Sequence, residues 1–203
     1  MKEQLMEAQR IDTKNDVLKG SEKSAMEAAY YLSIDECAKE GRNQFIENSM
    51  QAHATYLMVK LFQNAAQAVR LFSGSMGKVY ASPELIKEAI AFLQKSGSSL
   101  NIVLENDIDG GHPDRHPLIA AINSIKEHIK GTVIVRKLSD DFKITDRKHF
   151  MVMDSKAYRV EYDHDNTKAI ANFGDAERAT EWVNYFDNVL VKKSSVIYEA
   201  HIA

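Results

Sequence analysis

Residues 146–155, DRKHFMVMDS, combine residue types that bind phosphate with a short apolar run. Arg147, Lys148 and His149 precede four apolar residues, and Asp154 follows them. The apolar run predicts a buried strand, and because side chains alternate along a strand, Arg147 and His149 would point together with Lys148 opposite. A guanidinium binds two phosphate oxygens at once, and an imidazole can donate one more hydrogen bond. The pattern therefore indicates a phosphate-binding site at the start of a strand.

These side chains are better suited to holding phosphate than to reacting with it. A guanidinium stays protonated at any working pH, so Arg147 has no lone pair with which to attack phosphorus. His149 would carry a full charge only part of the time at neutral pH. Two other interpretations stay open. In one, His149 acts as a catalyst in a rearranged site. In the other, Arg147 and Lys148 are solvated loop charges and Asp154 simply forms a turn.

A second group of titratable residues lies in NDIDGGHPDRHP, residues 106–117. Its aspartates suggest a calcium loop, but such a loop needs a glutamate at its twelfth position, where this chain has Leu118. Two prolines also keep His112 and His116 out of the helical i, i+4 geometry of a zinc pair. We therefore expect a loop at the rim of the fold here and no metal site.

The elements that must position these residues change character near residue 66. Apolar residues from Phe45 to Ala65 recur every three or four positions, which predicts a long helix. After that point, apolar runs of strand length alternate with helices that begin at Ser82-Pro83, at Pro117 and at Asp175. Near-continuous apolar strands that alternate with helices favour an α/β sandwich whose sheet is largely parallel and covered on both faces.

Composition limits the classes of protein that fit. The chain has 203 residues, is 44% hydrophobic and 27% charged, and so suits a globular domain and not a disordered one. A net charge of −3 argues against non-specific wrapping of nucleic acid, although it permits a local basic patch. The single cysteine, Cys37, and the lack of an apolar stretch of membrane-spanning length lead us to expect a cytoplasmic protein with no membrane span.

The order of elements from about residue 66 to 191 resembles one half of the phospholipase D-like phosphodiesterase fold. Members of that family carry a His-x-Lys-x4-Asp motif on a strand, followed by a Gly-Ser-x-Asn turn and a closing helix. Here the motif would read Arg147-x-His149-x4-Asp154, and Asn172 in AIANF would represent the turn without its Gly-Ser pair. In the family the first histidine forms a covalent phosphohistidine, a step that Arg147 cannot perform.

The resemblance implies an α/β fold: a phospholipase D-like α/β/α sandwich with a mixed, largely parallel sheet, preceded by an α-helical N-terminal region. The expected division is a helical region over residues 1–65, the α/β domain over 66–191 and a C-terminal tail over 192–203. Family members place the active site between two halves that each give one motif. A chain with a single half is therefore expected to form a homodimer.

We therefore expect a non-catalytic module that binds a phosphate-bearing ligand, nucleic acid included, or a protein partner, and acts as a sensor or regulatory subunit. No cofactor is expected. Two alternatives are a phosphodiesterase or nuclease that uses His149, and a scaffold protein that interacts through its N-terminal helices. The expected ligand-binding residues are Arg147, Lys148, His149, Asp154 and Asn172.

Overall fold

The computed structural model describes residues 24–144, 148–163 and 168–200. The chain divides into two units after Glu36. Helix α1 spans residues 24–40. Within the described residues, the first unit contains residues 24–36 of this helix. The second unit starts at Cys37 and carries the sheet and every element discussed below. Arg147, one of the predicted ligand-binding residues, lies outside the described residues.

One mixed sheet of eight strands forms the centre of the second unit, as far as the chain is described. Its strand order is β1-β7-β6-β5-β2-β3-β4-β8. The strands are β1 Ile46–Asn48, β2 Ala68–Ser73, β3 Ser99–Leu104, β4 Thr132–Leu138, β5 Phe150–Met153, β6 Ala157–Asp163, β7 Lys168–Asn172 and β8 Ser194–Ala200. The other helices are α2 Gln51–Asn64, α3 Pro83–Leu93, α4 Pro117–Ser124 and α5 Ala176–Tyr185.

The prediction of a largely parallel sheet is wrong. Among the strands that the structure describes, only β2, β3 and β4 run parallel to one another, joined by crossovers that contain α3 and α4. The remaining pairs are antiparallel, including β2 with β5 in the middle of the sheet and the β5–β6 hairpin. The strand β5 is apolar throughout because both of its faces are covered. A continuous run of apolar residues therefore indicates that both faces of a strand are buried, and it does not indicate the direction of the strand.

The core lies on both faces of this sheet, as the predicted sandwich requires. On one face, Phe72, Phe150 and Tyr158 pack with Ala179 of α5 and with Phe186 in the turn that follows it. The alternate residues of β5 point to the opposite face and are also buried. Helices α2 and α3 pack together, with the rings of Phe62 and Phe92 6.0 Å apart, and α2 contacts β5 and β6. The sequence therefore predicted the α/β class correctly.

Two edge strands fall outside the predicted 66–191 segment. β1 pairs antiparallel with β7, although the helical spacing had predicted a helix from Phe45 onward. β8 pairs antiparallel with β4 inside the segment predicted to be a C-terminal tail. Short edge strands carry little periodic signal, since three residues such as Ile46–Asn48 fit a helix and a strand equally well.

Candidate functional site

The candidate site is a pocket at the end of the sheet where β2 and β3 finish and β5 begins. The backbone ladder continues past both parallel strands, because the N–H of Asn106 donates to the carbonyl of Gly74 at 2.9 Å. The end of β6 reaches the same place, since the N–H of Glu161 donates to the carbonyl of His149 at 2.8 Å. We call the resulting cavity of about 410 Å³ the His149 pocket; its lining includes Ser73, Gly74, Lys78, Tyr80, His149 and Glu161.

Two residues of this lining, His149 and Glu161, belong to a connected chain of charged and polar side chains. The Nε2 atom of His149 lies 2.8 Å from Oε2 of Glu105, and its Nδ1 atom lies 3.7 Å from Oε2 of Glu161. Arg159 donates from its guanidinium to Glu161 at 2.9 Å and to Oδ1 of Asn48 at 3.2 Å. The side chains of His149 and Arg159 are only 17% and 5% exposed, so these interactions are poorly screened by water.

The interactions among these side chains favour the charged forms of His149 and Glu161. Burial by itself would lower the pKa of His149, but the hydrogen bonds and negative charges of Glu161 and Glu105 raise it above its ordinary value. Burial by itself would raise the pKa of Glu161, but the hydrogen bond from His149 and the charge of Arg159 lower it to about 2. Burial raises the pKa of Tyr80 above its usual range, so this side chain stays a neutral phenol. The two carboxylates at its ring nitrogens therefore favour the protonated form of His149.

Gly74 lies directly against the imidazole of His149. A Cβ atom at this position would lie 3.3 Å from Cε1 of His149, tighter than most contacts of this kind. The ring of Phe72 packs edge-on against the same imidazole, with the ring centroids 5.3 Å apart. Glycine and phenylalanine at the end of β2 thus fix the position of His149 from one side, while the carboxylates fix its two nitrogens.

Asp154 has a structural role at the opposite end of β5. Its carboxylate accepts hydrogen bonds from the backbone N–H groups of Ala66, Gln67 and Ala68 at 2.5, 2.9 and 2.7 Å. Asp154 has a φ of 49° and Ser155 a φ of 51°, the left-handed values of a tight hairpin turn. The carboxylate thus joins the β5–β6 turn to the start of β2, about 16 Å from His149 at the usual rise per strand residue.

Asn172 also lies at that far end. β7 runs in the same direction as β5, and Asn172 at its end pairs with Tyr158 close to the β5–β6 turn. Its side chain is fully buried, donates to Oδ1 of Asn43 at 2.9 Å, and accepts from the N–H groups of Gly174 and Asp175. The structure therefore does not bring Asn172 and Asp154 together with His149.

Lys148 lines a different depression from its neighbour. The cavity beside Lys148 has a volume of about 440 Å³ and contains Trp182 and Tyr185 from α5. His149 lines the pocket already described, as expected if adjacent residues of an extended segment point in opposite directions. The prediction that Lys148 points away from the phosphate-binding face agrees with this placement.

Sequence reasoning missed Glu105, Glu161 and Arg159 as members of the site. Glu105 directly follows the apolar run of β3, where the polar ends of parallel strands commonly meet ligands. Arg159 and Glu161 alternate with apolar residues, a pattern that predicts the second strand of a hairpin. Arg159 is buried in the structure. The alternation, which placed the charges of Arg159 and Glu161 on one face, was therefore the pattern that could have indicated their part in the site.

The aspartate- and histidine-rich segment 106–117 contributes to packing. His116 is buried, its Nε2 atom lies 3.0 Å from the carbonyl of Met76, and its Nδ1 atom accepts from the N–H of Leu118 to cap α4. Across the described ranges, no cluster of three or more His, Cys, Asp or Glu side chains could hold a metal ion. In that same part of the chain, every helix is too short or too polar to cross a membrane.

Comparisons with known proteins show the fold of this chain. No protein-family model matches the sequence, and no curated protein matches it. Among solved structures, Nuc from Salmonella typhimurium, a phospholipase D family member, is similar with a TM-score of 0.51 and 16% identity, covering 75% of this chain and 98% of Nuc. TrmBL2, an archaeal chromatin protein, is similar with a TM-score of 0.54 and 14% identity, covering 91% of this chain and 67% of TrmBL2. At these identities the likeness concerns the fold alone: the chain has the phospholipase D-like fold that the order of its elements predicted.

Proposed function

We propose that this chain is a non-catalytic phospholipase D-like module that binds a phosphate-bearing ligand in the His149 pocket and acts as a sensor or regulatory subunit. The observation that carries the proposal is the pairing of His149 with two carboxylates, one at each ring nitrogen. An imidazolium held in this way has no lone pair with which to attack phosphorus. The pairing supports binding over covalent chemistry.

The charges around the pocket support an anionic ligand. The two carboxylates are offset by the imidazolium of His149 and the guanidinium of Arg159, both within hydrogen-bond reach. Lys78 lines the same pocket, is exposed, and adds a positive charge that this network does not balance. An ammonium at the mouth of a pocket attracts phosphate as a point charge. In the proposed phosphate site, Lys78 therefore supplies the direct contact, and His149 supplies positive charge, because its two ring nitrogens face the carboxylates.

The comparisons widen the range of ligands to be tested. TrmBL2 is described as a chromatin protein with a novel mode of DNA binding, and Nuc as a member of the phospholipase D family. Both descriptions concern proteins whose partners or family name involve phosphodiesters. A phosphodiester, as in nucleic acid, is therefore included with phosphate monoesters among the ligands proposed for this pocket.

Two further parts of the proposal rest on the single half-domain and on Cys37. One copy supplies one site of a fold whose family members combine two halves, so we propose a homodimer, with a protein partner as the alternative. Sedimentation as a monomer at micromolar concentration would contradict the homodimer.

Cys37 is a free, buried thiol, which fits a reducing compartment, and we propose that the protein is cytoplasmic.

Calorimetric titration with inorganic phosphate, phenyl phosphate and dimethyl phosphate tests the site, and hydrolysis of bis-p-nitrophenyl phosphate tests for catalysis. We expect binding without turnover, weakened in Lys78→Ala and in His149→Ala. Lys87→Ala and His128→Ala are matched controls, because Lys87 and His128 are exposed residues that do not line the pocket.

Each alternative function has its own outcome in these assays. Hydrolysis by the wild type that disappears in His149→Ala would replace the proposal with a phosphodiesterase. Absence of both binding and hydrolysis would reject the phosphate site and leave the scaffold interpretation. Lys78→Ala is the decisive variant if His149→Ala fails to fold, since its exposed side chain has no part in the core.

A further inference from the structure

A second surface combines aromatic rings with lysines around Phe142. Two neighbouring depressions of about 440 and 530 Å³ share Phe142 in their lining. The first lies against α5, and the second lies against the start of β8. We call this the aromatic–lysine surface and define it by Phe142, Trp182, Tyr185, Lys143, Lys148, Lys192 and Lys193.

The charge of the aromatic–lysine surface is opposite to that of the whole chain. Four lysines line the two depressions, whereas Asp141 is the one acidic residue among the described residues that line them. Asp141 accepts a hydrogen bond from the hydroxyl of Ser139. Lys143, Lys192 and Lys193 are exposed. A chain with a net charge of −3 therefore carries a locally positive surface, and this surface attracts a polyanion.

The rings of the surface are held in place by the core. Trp182 packs at a tilt against buried Phe150 with the ring centroids 4.8 Å apart, and it meets Tyr185 edge-on at 6.3 Å. Both side chains are only half-buried, so part of each ring lines the depression. An aromatic ring fixed on one side by packing and open on the other is a stacking platform for a nucleic acid base.

We propose that the aromatic–lysine surface binds single-stranded nucleic acid. Lysines along a backbone track combined with aromatic platforms are what binding of single strands without sequence preference requires. A single strand can place unstacked bases in the depressions, whereas a duplex keeps its bases stacked inside. This surface is distinct from the His149 pocket, and the inference does not rest on the phosphate-binding function proposed for that pocket.

Trp182 allows a direct test because it is the only tryptophan in the sequence. Titration of the full chain with a short oligothymidine at low salt should quench its fluorescence. An oligomer of the same length that lacks bases keeps the phosphates, and it should bind more weakly and quench little. Each phosphate neutralised on a single strand contributes about −0.7 to the slope of log K against log salt, so four lysines predict a slope of up to about −2.8.

The variant Lys143→Ala/Lys192→Ala/Lys193→Ala should reduce the magnitude of this slope by about 2 and weaken binding at low salt by about tenfold or more. Lys87→Ala/Lys126→Ala/Lys130→Ala removes the same charge from exposed positions elsewhere and should leave both values close to wild type.

Four results obtained with nucleic acid alone would overturn the inference. They are the absence of oligothymidine binding at low salt, equal binding of the oligothymidine and of the oligomer without bases, equal weakening of binding by the two triple variants, and tighter binding of a duplex without quenching of the Trp182 fluorescence. Displacement of the oligothymidine by an acidic peptide at similar concentration would also overturn it, in favour of a protein partner.

Discussion

Substitution of Asp154 should lower the free energy of unfolding while leaving ligand binding by the folded protein unchanged. Its carboxylate accepts three backbone N–H groups that lie 86 to 88 residues earlier in the chain. The bond to Ala68 is partly buried, and a bond of that kind to a charged group contributes about 1.5–3 kcal/mol. The bonds to Ala66 and Gln67 are exposed, and water replaces them at a cost of about 0.5 kcal/mol each.

Together these contributions predict a loss of about 2.5–4 kcal/mol for Asp154→Gly. Glycine is the appropriate replacement because it adopts the positive φ of 49° without strain, whereas alanine would add a backbone cost of about 1–2 kcal/mol. Asp154→Asn keeps one acceptor oxygen and should lose about half as much. Phosphate affinity should stay at the wild-type value, because the carboxylate lies about one strand length from the His149 pocket.

Urea denaturation followed by circular dichroism measures the effect, and the denaturant slope should not change. Asp140→Asn is the matched control, since Asp140 is 95% exposed and its ion pair with Lys137 should contribute less than about 1 kcal/mol. A variant Asp154→Gly within about 0.5 kcal/mol of the wild type would refute the structural role. A loss of phosphate affinity without a loss of stability would return Asp154 to the ligand site.

Two further predictions concern the pocket and the packing of the chain. Because its partners raise the pKa of His149, the protonated imidazole contributes stability that is fully present below about pH 6.5 while the carboxylates are ionised, and this contribution is lost as the pH rises through the folded pKa. Glu161→Gln should lower that pKa in an NMR titration and flatten the change in unfolding free energy from about pH 6 to 9; an unchanged pKa would contradict the network. Gly174→Ala should destabilise the protein by about 2 kcal/mol or more, because its Cβ would lie 2.8 Å from backbone atoms of Arg42 and Asn43. Gly77→Ala is its control in the same urea assay, because a Cβ atom at Gly77 would have no atom of the described residues within 4 Å, and equal stability of the two variants would contradict the close approach.

Helix ends were predictable because their signals are local. Ser82 and Asp175 were expected to begin helices, and each accepts a hydrogen bond from an N–H three residues later, at 3.3 and 3.1 Å. A cap needs only its own turn of backbone, so the sequence contains all of its information. The sheet edges were missed for the opposite reason, because β1 and β8 exist through pairing with β7 and β4.

The direction of the central strands could not be predicted from apolarity. β5 lies antiparallel beside β2 and is buried on both faces, as a central parallel strand would be. The pattern of residues depends on which faces are covered, and it is the same for either direction. Only the connections, a crossover helix or a tight hairpin, determine which direction is formed.

The sequence by itself determined what residue 147 cannot do, because a guanidinium lacks a lone pair in any environment. It also placed His149 at the start of a strand, since alternation and an apolar run are properties of neighbouring residues. Only the tertiary structure decided which groups His149 meets: Glu105 lies 44 residues earlier, and Glu161 is brought back by the β5–β6 hairpin. It also decided that Asp154 holds backbone N–H groups of a distant segment. The spacing of residues along a strand sets the face on which a side chain lies, whereas its partners depend on strand order and register, which arise from contacts across the whole sheet.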